Sequence, residues 1–127
     1  MRRERFDIAV IGGGPAGLAA ATVAAEKGAK VALIEREASL GGILKQCVHD
    51  GFGVIRYDQK LTGPEYAQKE IDKLNKYEIT KFLLTFVTKI TKRSSDFVIQ
   101  FVNRSGADEI EAKKIILATG CRERTSK

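Results

Sequence analysis

The chain has 127 residues, 43% hydrophobic and 30% charged, with a formal net charge of +6. That length is one domain's worth and enough to bury a core, and the composition is ordinary for a globular protein. The basic residues are scattered among acids and accompany no RNA- or DNA-binding motif, so no nucleic-acid partner is expected. A basic surface suits the attraction of an anionic cofactor or substrate instead.

The first element is Phe6–Ile11, FDIAVI, a short apolar run that suits a strand buried on both faces of a parallel sheet. Gly12, Gly14 and Gly17 follow as G-x-G-x-x-G. Gly12 permits the tight turn, Gly14 lets the backbone approach a pyrophosphate, and Gly17 lets the next helix sit close to the strands. Pro15 fits the first turn of that helix, where no N–H is needed. The helix is predicted to run to about Lys27, with Gly28 placed to stop it. Its free N–H groups and positive dipole end favour a diphosphate.

A second strand, Lys30–Ile34, ends on Glu35. A carboxylate there accepts hydrogen bonds from both hydroxyls of an adenosine ribose and repels a 2′-phosphate, which disfavours NADP in this pocket. Glycine turns are common, but here strand, helix and acid agree in spacing, and the expectation is an adenine-dinucleotide site. The uncharged run from Ile8 to Ala25 behind Arg2, Arg3 and Arg5 superficially resembles a signal peptide or a short membrane span. Gly12 to Pro15 break it, and Val31–Ile34 complete the same βαβ unit, so neither is expected.

Gly41 and Gly42 open a long segment with further glycines at Gly51, Gly53 and Gly63. Its backbone amides could reach a phosphate or a ribityl chain, or the segment could be a flexible connector; spacing alone leaves both open. A brief helix at Ile43–Val48 is a weaker pattern. Pro64–Tyr77 is predicted to be a helix with an apolar stripe at Ala67, Ile71, Leu74 and Tyr77. Ile79–Thr91 is β-rich and bends near Thr85–Val87, followed by strands at Phe97–Val102, Asp108–Ala112 and Lys114–Ala118. Thr88 to Ala112 are expected to form a three-stranded antiparallel meander. The fold class is therefore α/β: a parallel sheet of Ile8–Ile11, Val31–Ile34, the Phe82 strand and Ile115–Leu117, with the meander as a separate small layer. The first helix should lie on the sheet through Leu18, Ala21 and Ala25.

GGGPAG, the acid at Glu35, the GG pair, the helix, the meander and ILATG resemble, in that order, the FAD-binding part of pyridine-nucleotide-disulfide-reductase-like oxidoreductases, which have a Rossmann-like fold. Within that group, GGILKQCVHDGFG and ILATGCRER are similar to a bacterial branch containing alpha-type subunits of sarcosine and opine oxidases and flavoproteins of glycerol metabolism. The resemblance implies that Gly12, Gly14, Pro15, Ala16 and Gly17 surround the FAD diphosphate. It implies Glu35 on the adenosine ribose, Arg36 beside the adenine, and Gly41 and Gly42 on the ribityl and phosphate side. Val87 matches the residue whose backbone reads the adenine edge, and Ala118, Thr119 and Gly120 match a turn that passes close to the cofactor.

The sequence departs from the disulfide reductases in that Cys47 lacks a nearby partner, Phe52 standing where the second cysteine is expected. Dithiol chemistry is not expected. Cys47 and Cys121 match no zinc spacing, no metal site is expected, and two free thiols in a reducing cytoplasm are the default. The family continues into an NAD(P)-binding domain beyond the ATG turn. The resemblance therefore implies an N-terminal piece of a longer flavoprotein, or a stand-alone remnant. NAD(P)H would be used through a domain absent from this chain. A partner subunit or self-association would cover the strand at Lys114–Ala118.

No nucleophile–base pair or carboxylate pair stands out, so no catalytic residue is assigned. His49, the only histidine, is favoured as a loop or structural residue over a proton carrier, and Lys45 and Gln46 are candidate flavin contacts. Two functions are weighed: the FAD-binding portion of an oxidoreductase, and a non-catalytic NAD- or ADP-binding module. The GG pair, meander and ATG turn favour the first, because a simple NAD domain would continue βαβ after Glu35.

Overall fold

The computed structural model describes residues 3–42 and 63–119. Chain order is β1 (Glu4–Ile11), α1 (Pro15–Glu26), β2 (Val31–Ile34), α2 (Gly63–Leu74), β3 (Ile79–Phe82), β4 (Phe86–Lys92), β5 (Phe97–Asn103) and β6 (Gly106–Leu117). All strands join one six-stranded sheet in the order β3-β2-β1-β6-β5-β4. β1 pairs in parallel with β2 and β6, and β2 with β3, while β4-β5-β6 are antiparallel.

The buried run of β1 behaves as its composition demands, with Ala9 and Val10 fully buried. Val10, Val31 and Leu33 meet one helical layer, in which Leu18, Ala21 and Ala24 of α1 and Leu74 of α2 are buried. Ala25 packs at the edge of that layer, so the predicted face of α1 is the observed one. Gly28, with φ +90°, ends the helix, and its N–H bonds the Ala25 carbonyl at 3.0 Å.

Ala9, Ile11, Ala32 and Ile34 point to the other face, where Ile99, Phe101, Ile110 and Ala112 of the meander cover them. The meander is thus a layer in its packing, but it is not separate as expected. Its hydrogen bonding runs unbroken through β6, a single strand where the sequence predicts two. Gly106–Ala112 pair with β5, and Ile110–Leu117 pair with β1. Among the described residues, the β6 edge beyond Ala112 has no partner on its β5 side, and Leu117 is 70% exposed there.

At the opposite end of β1 a group of ion pairs ties the strand to the meander. Arg3 bonds Glu109 and Glu111, Arg5 bonds Glu111, and Arg93 grips Asp96 through two bonds of 2.7 and 2.6 Å. α2 ends at Leu74, three residues short of the predicted Tyr77, and it buries Glu70, which the helical stripe does not anticipate.

Candidate functional site

β1, β2 and β6 are parallel, so their carboxyl ends, Ile11, Ile34 and Leu117, lie at one edge of the sheet. The chain leaves β1 through α1 to reach β2 on one side and returns much later to β6 on the other. β1 is therefore the point where the strand order reverses, and the crevice above it is where open α/β sheets take ligands.

The three fingerprint glycines stand at this edge of the sheet for three different reasons. Gly12 has φ +116°, and a Cβ on it would overlap the carbonyl of Ala118. Gly12 N–H bonds the Ile34 carbonyl and Ala118 N–H bonds the Ile11 carbonyl, each at 2.8 Å, so the turn after β6 is seated on the turn after β1. A Cβ on Gly17 would overlap the Gly12 carbonyl oxygen, which is the close helix-to-loop approach read from the sequence.

Gly14 differs. Its backbone is extended, with φ −80° and ψ −167°, a conformation open to any residue, and among the described residues a Cβ there would meet nothing within 4 Å. Neither backbone geometry nor packing against the described residues asks for glycine at this position. Gly14 is also the N-cap of α1, which has no side-chain cap and no acid in its first turn. Pro15 occupies the start of the helix, and Pro15 and Ala16 are exposed. Among the described residues no side chain caps the helix start, which pairs its first N–H donors with a glycine in extended backbone, and this fits a diphosphate.

Glu35 follows β2 and is 8% exposed. Its Oε1 accepts the Gly13 N–H at 2.6 Å and its Oε2 accepts the Glu37 N–H at 2.7 Å. Its backbone is fixed as well: Glu35 N–H bonds the Phe82 carbonyl at 2.8 Å, and Thr85 N–H bonds the Glu35 carbonyl at 3.1 Å. A carboxylate offers about four acceptor positions, and the described residues use two of them.

Gly41 and Gly42 join the same loop, which spacing alone left undecided. Gly41 N–H bonds the Gly13 carbonyl at 2.7 Å, and Gly42, with φ +57°, lies so close that a Cβ would be 3.0 Å from Gly14 Cα. The structure thus brings together Gly12, Gly14, Gly17, Glu35, Gly41, Gly42 and Ala118. Arg36 and Thr119 flank the group as exposed residues. Val87 sits in β4, opposite Phe101, and packs on the meander-side core rather than in the glycine loop. Gly120, Lys45, Gln46, Cys47, His49, Cys121 and the Ile43–Val48 helix lie outside the described residues.

Sequence reasoning missed Gly13. This residue fills the variable position of the fingerprint, yet its N–H, its carbonyl and the space beside its Cα are all engaged. The G-G-G run is the only signal that could have flagged it.

A family model described as pyridine nucleotide-disulphide oxidoreductase matches residues 6–127. The chain belongs to that family. Its members are FAD-dependent electron transferases, with NAD(P)H the usual second substrate. The chain is 35% identical to ferredoxin–NADP reductase of Streptococcus equi subsp. zooepidemicus, over 94% of this chain and 36% of that protein. Among solved structures it is similar to thioredoxin reductase from Streptococcus pyogenes, with TM-score 0.81 and 30% identity over 98% of this chain and 38% of that one. It is also similar to L-proline dehydrogenase from P. horikoshii, with TM-score 0.78 and 29% identity over 99% of this chain and 25% of that one. The chain therefore spans well under half the length of these relatives. Among the described residues no helix is long and apolar enough to cross a membrane, and no group of three or more His, Cys, Asp or Glu could hold a metal ion.

Proposed function

We propose that this chain is the FAD-binding portion of an FAD-dependent oxidoreductase that moves hydride or electrons between a small-molecule or NAD(P)H donor and an acceptor. The observation that carries the reading is Gly14: a glycine that neither its backbone nor any described neighbour requires, at a helix start with no side-chain cap, beside a buried carboxylate. In this reading Gly12, Gly14, Pro15, Ala16 and Gly17 surround the diphosphate. Glu35 takes the ribose hydroxyls, Arg36 flanks the adenine, and the Val87 backbone reads the adenine edge. Gly41 and Gly42 lie along the ribityl side, with Ala118, Thr119 and Gly120 on the approach to the flavin. FAD supplies the redox chemistry once bound; these residues bind it, orient it and fix its diphosphate.

The 127 residues act as one dinucleotide-binding unit of a larger flavoprotein in the cytoplasm, a reading supported by the small share of each relative that they cover. The remainder of that protein, a partner subunit or a second copy covers the open edge of β6 near Leu117. For the substrate, the branch of sarcosine and opine oxidases and glycerol-linked flavoproteins is the finer proposal. GGILKQCVHDGFG and ILATGCRER support it, as does the likeness to a dehydrogenase of L-proline, which like sarcosine is a secondary amino acid.

The test is titration of FAD, ADP and NAD into the protein and into Glu35→Ala, with an absorption spectrum of the purified chain. The expected result is a flavin spectrum or FAD uptake, weakened in the variant by about 1.5–3 kcal/mol because the lost bonds have a charged acceptor. Binding of NAD or ADP with no affinity for FAD would favour a non-catalytic nucleotide module instead.

A further inference from the structure

We propose that Glu35 is a positioning residue for the diphosphate loop, acting through Gly13 before any nucleotide arrives. This deepens the dinucleotide reading above and rests on it. Ribose recognition alone would leave the carboxylate free in the absence of ligand. Instead both oxygens are engaged by backbone N–H groups of the chain itself, Gly13 at 2.6 Å and Glu37 at 2.7 Å. Bonds from an N–H to an ionised carboxylate are stronger than neutral ones, and this pair is shielded from water by the burial of Glu35.

Gly13 is held from three sides. Glu35 takes its N–H, and Gly41 N–H bonds its carbonyl at 2.7 Å. A Cβ on Gly13 would lie 2.7 Å from Leu40 Cδ2 and 3.0 Å from Glu35 Oε1. The peptide between Gly12 and Gly14 is therefore clamped by the acid after β2 and the glycine pair beyond it. A loop fixed in this way loses less freedom when it closes on a diphosphate, and that saving appears as affinity. Glu35 then contributes twice: directly to the ribose, and indirectly to the diphosphate through Gly13.

The two contributions separate when the ligand lacks the hydroxyls. ADP and 2′,3′-dideoxy-ADP are titrated by calorimetry against the 127-residue chain and Glu35→Ala, with melting temperatures recorded for both. The clamp predicts that dideoxy-ADP binds the variant at least about fivefold more weakly than the wild type while both proteins remain folded, since an unclamped loop must be ordered by the ligand. Equal affinity of the two proteins for dideoxy-ADP would overturn the clamp and leave Glu35 with the ribose alone.

A second measurement needs no variant. In the ligand-free protein the amide protons of Gly13 and Glu37 should resonate well downfield of solvated loop amides; resonances in the ordinary range overturn the proposal even if Glu35→Ala fails to fold. A folded wild-type chain that binds neither nucleotide defeats the dinucleotide reading, and the amide resonances then decide the clamp by themselves.

Discussion

Phe82 at the end of β3 packs against Phe101 in the middle of β5, with ring centroids 5.4 Å apart. β2, β1 and β6 lie between their strands in the sheet. Four strand intervals in a flat sheet would separate them by roughly 19 Å. The meander half has therefore curled over the parallel half, and Phe82, Phe101 and Phe6 form the seam, with Phe6 and Phe82 meeting edge to face at 6.2 Å.

Phe101→Ala should accordingly open that seam. Phe101 is 2% exposed, and truncating a buried phenylalanine costs about 3–5 kcal/mol through lost burial and the cavity left behind. Urea denaturation of the two proteins measures it. A loss under about 1 kcal/mol would mean that the meander does not depend on this contact for its place over the sheet.

The ion pairs at the far end of β1 give stability a defined pH dependence. Hydrogen bonds from Arg93 hold the Asp96 carboxyl below its ordinary 3.8, and hydrogen bonds from Arg3 hold Glu109 and Glu111 below their ordinary 4.5. The unfolded chain then binds more protons than the folded one in the acid range, so stability rises with pH there. The contribution is present above the ordinary values and is lost as pH falls through the lowered ones. Midpoints of urea unfolding between about pH 3 and pH 7 should fall below about pH 4.5, and Arg93→Ala should flatten that fall. Superimposable profiles for the two proteins would exclude Arg93 as the cause.

Gly12 and Gly14 should respond to alanine in opposite ways. At Gly12 the left-handed backbone and the Ala118 carbonyl both reject a Cβ, so Gly12→Ala should lose about 3 kcal/mol or more, or fail to fold. At Gly14 alanine is a poorer N-cap, but the reduced freedom of the unfolded chain offsets this, and stability should stay within about 1 kcal/mol. Melting temperatures of both variants check the contrast. Equal damage at the two positions would mean that Gly14 also has a packing role.

Where one local cause sets the structure, the sequence is explicit. β1, α1 and β2 follow from an apolar run, a glycine turn and a stopping glycine, and Glu35 lies where the spacing places it. β6 reads as two strands because its partners change along its length: Gly106–Ala112 pair with β5 and Ile110–Leu117 with β1, so among the described residues only Ile110–Ala112 are flanked on both sides and no single pattern runs throughout. The bend after β3 is legible, but not the left-handed Leu84 within it, at φ 50°, whose N–H bonds the Glu37 carbonyl at 3.0 Å. The union of the glycine loop with Gly41 and Gly42 depends on one hydrogen bond and one close backbone approach between segments about 28 residues apart, which no periodicity records.

If Gly14 is glycine for a ligand's sake, nucleotide affinity must depend on it while stability does not. The decisive measurement is calorimetric titration of ADP into the wild type and Gly14→Ala, at matched melting temperature. ADP should bind the wild type, and should bind Gly14→Ala at least about tenfold more weakly, a loss of about 1.4 kcal/mol or more. Equal affinity for both proteins, or a folded wild type that does not bind ADP, would contradict the nucleotide site.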